Sequence, residues 1–237
     1  MKFIANRWLP LSLLLLLPSA HANLTVHPMR SSVDAKKGTH IRVYSQSAQP
    51  QYVQASLRRI DNAADSNENE VEIDPSAAAI AITPGKFALA GGGNRLIRVI
   101  PLQPVDRETA YRVYFEGVRG PDETDFDAGT EASRANLGVS LVWGALVNVL
   151  PANGNVEVNV QGNALHNTGT LRLGITSVAD CVGTRCTAHV LSRSLYPGSS
   201  VALPFDLKPG HSVQLRYRLT RDGFREHTQT LTPPAAP

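Results

Sequence analysis

The chain has little of what an enzyme or a metalloprotein is usually built around. Its 237 residues contain two cysteines and seven histidines, and no His or Cys pair stands at zinc-like spacing. There is no G-x-S-x-G elbow, no P-loop, no H-E-x-x-H and no dinucleotide fingerprint. No nucleophile with its base, and no metal or phosphate cradle, can therefore be assembled from motifs. The triple glycine at 91–93 precedes a strand-like segment rather than a helix, which makes it a turn and not an anion site. His27, His40, His166, His189, His211 and His227 are dispersed over strand and turn positions, as solvated or structural imidazoles. No catalytic residue, metal site or cofactor is expected.

Excess charge of either sign is also missing. The whole chain carries 23 Lys and Arg against 20 Asp and Glu, but Lys2 and Arg7 lie in the first 22 residues, which hold no acid. From Asn23 onward 21 basic residues face 20 acidic ones, a net of +1. This excludes a global electrostatic footprint for nucleic acid. Long apolar runs are confined to the start, MKFIANRWLPLSLLLLLPSAHA. There the Leu-rich run ends at Pro18, too short for a bilayer, and Ala20-His21-Ala22 has the A-x-A form of a cleavage site. The expectation is a signal peptide over 1–22 and a soluble, exported product. Cys181 and Cys186, in DCVGTRCT, then suit one short-loop disulfide in an oxidising compartment.

What the sequence does have is strands. THIRVYS (39–45), QYVQASLRRI (51–60), NRLIRVIP (94–101) and AYRVYFEGV (110–118) are β-branched or aromatic runs separated by Gly, Pro, Asn and Asp. NVEVNVQG, TLRLGITSV, TAHVLSR, VALPF, SVQLRYRLT and REHTQTLT follow. In SVQLRYRLT the residues Val213, Leu215, Tyr217 and Leu219 share one face, and Gln214, Arg216, Arg218 and Thr220 the other. Such alternation predicts an antiparallel sheet with one wet side. The acidic segment 120–134, GPDETDFDAGTEASR, reads as a mobile loop. LPANGN (150–155) breaks the strand pattern, so the domain boundary is placed there, giving domains 23–152 and 153–237. Each is long enough for a sandwich of about seven strands.

One segment does not fit a single domain comfortably. In NLGVSLVWGALVNVLP (136–151), Leu137, Val139 and Leu141 alternate with Gly138 and Ser140, but Val142 to Leu150 is almost continuously apolar. Fifteen extended residues at roughly 3.3 Å each would span about 50 Å, two to three times an ordinary strand. Part of the segment is expected to lack a partner at home, and to be able to add itself to an open sheet of another protein.

Five blocks in order carry a resemblance: LTVHPMRSSVDAKKG, HIRVYSQS, ITPGKFALAGGGNRLIRV, ETAYRVYFEGV and GVSLVWGALVNVLP. Together they resemble the PapD-like periplasmic chaperones of the chaperone-usher pathway, and look closest to the branch serving the common pilus and colonisation-factor fimbriae. Beyond residue 153 the likeness is looser and rests on the strand pattern, the Cys pair and TRDGF. The resemblance implies an all-β protein of two immunoglobulin-like β-sandwich domains in a boomerang arrangement. Its implied partners are pilus subunits and the outer-membrane usher, its implied place the periplasm; whether the free protein forms a self-capped homodimer stays open. The strand lent to a pilin falls on Leu137, Val139 and Leu141, with Trp143 next. The cleft arginine that holds a pilin carboxylate falls on Arg30, whose planar fork can donate two parallel hydrogen bonds. The family's cleft lysine falls on Leu146, so either Arg30 works alone or another base supplies the second donor, with Arg112 a candidate. An internal salt bridge linking the domains maps to Arg98, Glu108 and Asp222, and Thr83-Pro84 matches a position that is often cis. The alternative function is a pilus subunit or two-domain tip adhesin. An exported hydrolase or carbohydrate-binding module is a third class, with no constellation behind it.

Overall fold

Period-two alternation of apolar and polar residues becomes seventeen strands in a computed structural model that describes residues 23–118 and 141–233. The strands are β1 (Leu24–His27), β2 (Arg30–Val33), β3 (Thr39–Ser45), β4 (Gln51–Asp61), β5 (Asn69–Glu72), β6 (Ile80–Thr83), β7 (Lys86–Leu89), β8 (Asn94–Pro101), β9 (Thr109–Val118) and β10 (Trp143–Val149), followed by β11 (Val158–Gln161), β12 (Ala164–Asn167), β13 (Leu173–Val182), β14 (Arg185–Leu195), β15 (Ser200–Ala202), β16 (Ser212–Arg218) and β17 (Glu226–Leu231). A single 3-10 turn, Thr220–Asp222, is the only helical element among the described residues. The signal-like segment 1–22 and the acidic loop 120–134 lie outside the described residues.

Two sandwiches result. The first packs the sheet β1-β3-β8-β6 against the sheet β2-β10-β9-β4-β5, with β7 paired to β4. Inward residues of both sheets, such as Ile41, Val43, Ile97, Val99, Val113, Phe115, Ala145 and Val147, form its core. The second packs β11-β12-β15 against β14-β13-β16-β17. Val213, Leu215, Tyr217 and Leu219 enter its core as their alternation predicts. Cys181 and Cys186 are bonded at the tip of the β13–β14 hairpin. The Thr83-Pro84 bond is cis, as is His27-Pro28.

The first block of the chain changes sheets. β1 pairs with β3 in one sheet, and after His27-Pro28 the chain crosses to the other, where β2 runs parallel to β10. Every other strand pair among the described residues is antiparallel. This crossover sets Arg30 opposite Leu146, and it ends there: β2 covers β10 only from Leu146 to Val149.

Candidate functional site: an open strand edge and the cleft beside it

The apolar segment read as one long strand divides into three parts. Leu137 and Val139 lie outside the described residues. Leu141 and Val142 precede the strand and are about half exposed, at 50% and 49%. Trp143 is partly buried against the first core, and Ala145 and Val147 are fully buried in it. Leu141 has the same parity as Trp143, Ala145 and Val147, so the row that seals the core emerges at its N-terminal end. On one side Trp143, Gly144 and Ala145 pair with Phe115, Tyr114 and Val113 of β9. On the other, no described strand pairs with them, because β2 stops at Arg30. The last bond on that side runs from the Leu146 amide to the Met29 carbonyl at 2.9 Å, and Met29 is itself exposed. Among the described residues, an edge without a partner strand and bordered by apolar side chains thus ends at Arg30.

The opposite face of β10 explains why the sequence stays apolar there. Leu146 packs against a small cluster of Ile60, Ala63 and Ala110 from the first sandwich and Tyr196 from the second. The strand is therefore covered on both faces here, one by its own core and one by the neighbouring domain. Asn148, the single polar residue of the run, is fully buried, and its Oδ1 accepts a 2.9 Å hydrogen bond from the Tyr196 hydroxyl. Its Nδ2 has no partner among the described residues. A cleft of about 600 Å³ adjoins this contact, walled by Ile60, Ala110, Tyr196, Arg107 and Gly198 among others.

Sheet register lines up the charges. Arg30, Leu146, Arg112, Arg58 and Glu72 are successive partners across β2, β10, β9, β4 and β5, so their side chains leave the same face. Arg30 is exposed and makes no ion pair or hydrogen bond with the described residues. Arg112 is held by its own domain: its Nη1 bonds Glu70, its Nη2 lies 3.3 Å from Glu68 Oε1, and the Tyr114 hydroxyl donates to Glu70 at 2.7 Å. The Arg112 stem and the Tyr114 ring pass over Gly144, where a Cβ would come within 2.9 and 3.0 Å of them. The candidate second base is present in the row, but it is already paired.

The expected internal salt bridge has different members. Glu108 is buried, and its Oε2 accepts from the Arg172 backbone amide at 2.9 Å. Its Oε1 accepts from the Thr220 hydroxyl at 3.2 Å and lies 3.8 Å from Arg172 Nε. Burial pushes the Glu108 carboxyl above its ordinary range, against the Arg172 amide, the Arg172 charge and the Thr220 hydroxyl, which act in the other direction. Arg98 instead sits on the outer face of β8, exposed, opposite His40 and Thr83. Asp222 bonds His227 within the second domain. The correction has a plain cause: β8 belongs to the sheet remote from the domain contact, and the 3-10 turn presents Thr220 rather than Asp222 to Glu108.

Arg172, Tyr196 and Asn148 carry the domain contact without a motif that marks them. Arg172 alternates with Leu171 and Leu173 and looks like a wet-face residue, yet it is buried and meets Glu108 of the first domain. Tyr196 looks like an ordinary strand-end aromatic. Asn148 did carry a signal, since a lone amide in an apolar run has to find a hydrogen-bond partner.

Among known proteins, no family model matches the chain. It is 30% identical over 204 residues to a CS1 fimbrial protein of Escherichia coli, itself described as a fimbrial subunit, covering 82% of this chain and 85% of that protein. Among solved structures it is similar to the Class 5 fimbriae chaperone CfaA, with a TM-score of 0.75 at 23% identity over 90% of this chain and 100% of that one. It is also similar to a chain of a chaperone–tip adhesin complex of CFA/I fimbriae biogenesis, with a TM-score of 0.73 at 24% identity and the same coverage. With the five sequence blocks and the relative at 30% identity in agreement, the chain belongs to the family of the CS1 and CFA/I fimbrial proteins of Escherichia coli and has the two-sandwich fold of the fimbrial chaperones.

Proposed function

We propose that this protein is a periplasmic chaperone that binds and stabilises pilus subunits by lending them a strand, and then delivers them to the outer-membrane usher. The observation that carries the reading is the apolar row that leaves the core at half-exposed Leu141, beside a strand edge that no described strand pairs. A pilin lacking its final strand would take Leu137, Val139 and Leu141 into its groove, with Trp143 closing the row. Edge N–H and C=O groups would supply the main-chain bonds and the alternating side chains the register. Three such side chains contribute about 1.5–3 kcal/mol each before ordering and association are subtracted. An interface of that strength can hold a pilin and still yield to a better strand.

Arg30 stands where the open edge ends, and in this reading it receives the pilin's terminal carboxylate. Arg112, across Leu146, adds positive potential from within its pairs with Glu68 and Glu70. No nucleotide or metal enters, because pilin folding and strand replacement supply the free energy. The signal-like features of residues 1–22 support export to the periplasm. The chaperone–tip adhesin complex among the similar structures supports pilus subunits and adhesins as the partner class. A homodimer in which each copy covers the other's apolar row is a resting state this reading allows.

A role as a pilus subunit is disfavoured, since such a protein would have to lack a strand, and β10 occupies the inner place between β2 and β9. The test is periplasmic co-expression with the pilin of the same fimbria. Replacing Leu137, Val139 and Leu141 together by Glu should abolish recovery of a stable complex, because charges do not enter an apolar groove without partners. Undiminished recovery contradicts the reading.

A further inference from the structure

With Leu146 apolar and Arg112 already committed to Glu68 and Glu70, a carboxylate gripped by Arg30 still needs a second donor. The second domain offers one. Tyr196 belongs to the apolar cluster with Ile60 and Ala110 against which Leu146, the β10 residue paired with Arg30, also packs. Its hydroxyl reaches Asn148, two residues along the same face of β10, and it also forms a wall of the 600 Å³ cleft. Asn148 is fully buried and has an unpartnered amide nitrogen, an imperfect arrangement for a purely structural contact.

We propose that the Tyr196 hydroxyl is the second donor to the pilin carboxylate, rotating from Asn148 Oδ1 to the ligand while Arg30 supplies the charge; this deepens the chaperone reading and rests on it. Tyr196 is suited to the task, because a phenol that stays protonated can donate at any physiological pH. Burial pushes its pKa up to about 12; the Arg172 charge opposes this, Glu108 adds to it, and the nearby Arg30 charge again opposes it. Leu146, which pairs with Arg30, and Asn148, which holds the phenol, leave the same face of β10 two residues apart. Asn148 can follow the rotation: once the hydroxyl leaves its oxygen, the side-chain amide is able to turn and donate to the phenol oxygen. The site would therefore straddle both domains, with its charge from the first and its neutral donor from the second. That arrangement makes carboxylate capture depend on the angle between the domains, which a lysine at position 146 would not.

The test uses the full-length mature protein and one short synthetic peptide of alternating Val and Thr, made with a free C-terminal carboxylate and as the C-terminal amide. Affinities for both are measured by calorimetry. The wild type is expected to prefer the acid over the amide. Tyr196→Phe should cut that preference several-fold, up to about tenfold, while leaving the amide's affinity unchanged. Tyr196→Phe that lowers both affinities equally, or leaves the preference untouched, overturns the proposal and returns Tyr196 to a packing role. Arg30→Ala with undiminished acid preference, or a wild type that binds neither peptide or does not distinguish them, overturns the carboxylate-anchor reading beneath it.

Discussion

Glu108 and Arg172 are the residues on which the domain contact turns, and they separate the sequence-based expectation from the structure. Arg172→Ala leaves a buried carboxylate without its charge partner and should cost about 3–5 kcal/mol in chemical unfolding. Arg98→Ala removes an exposed side chain and should stay within about 0.5 kcal/mol. Equal costs would restore Arg98 to the bridge. The pH dependence has a definite sign. A carboxyl whose folded pKa is raised stabilises the fold below its ordinary value, 4.5 for Glu108, and that contribution is lost as pH rises through the folded value. The stability of the wild type relative to Glu108→Gln should therefore fall from about pH 4 to pH 7. A flat difference, or a rising one, contradicts the assignment of burial as the dominant influence on Glu108.

At the scale of elements, β10 behaves as two pieces with one sequence pattern. Val147→Glu forces a charge into a fully buried core position and should prevent stable folding. Leu141→Glu, at a half-exposed position of the same parity, should leave the melting temperature close to the wild type's while weakening pilin capture. Leu141→Glu destabilising as strongly as Val147→Glu would mean that the row is satisfied at home. The strands themselves were legible wherever alternation is strict. Thr39–Ser45 and Asn94–Pro101 match their sequence runs at both ends, and Val213, Leu215 and Tyr217 point inward as their spacing requires. The short strands β5, β6, β7 and β12 were not legible, because four residues are too few to establish a period in sequence. The unbroken apolar run after Val142 was visible as an oddity, but its cause was not. Leu146 packs against an apolar cluster that includes Tyr196 of the other domain, a long-range fact that no local pattern encodes.

In the proposed reading, the molecule as a whole works by leaving one thing unfinished. Two sandwiches bury their cores separately and are joined through Glu108, Arg172 and Thr220 on one path and through Asn148 and Tyr196 on another. Rigidity at the contact matters if Arg30 and Tyr196 are to meet one carboxylate from two domains. The strand edge at Trp143–Ala145 is the exception to this completeness. Natural sheets usually cover such edges or blunt them with charge, whereas this one is flanked by Met29, Leu141 and Val142. Amide hydrogen exchange of residues 137–145, read in the free protein and in its complex with a pilin, tests the claim most directly. Fast exchange when free and strong protection in the complex is the expected result. Protection already complete in the free monomer would mean that the edge is covered by the protein's own chain, and the account would fail.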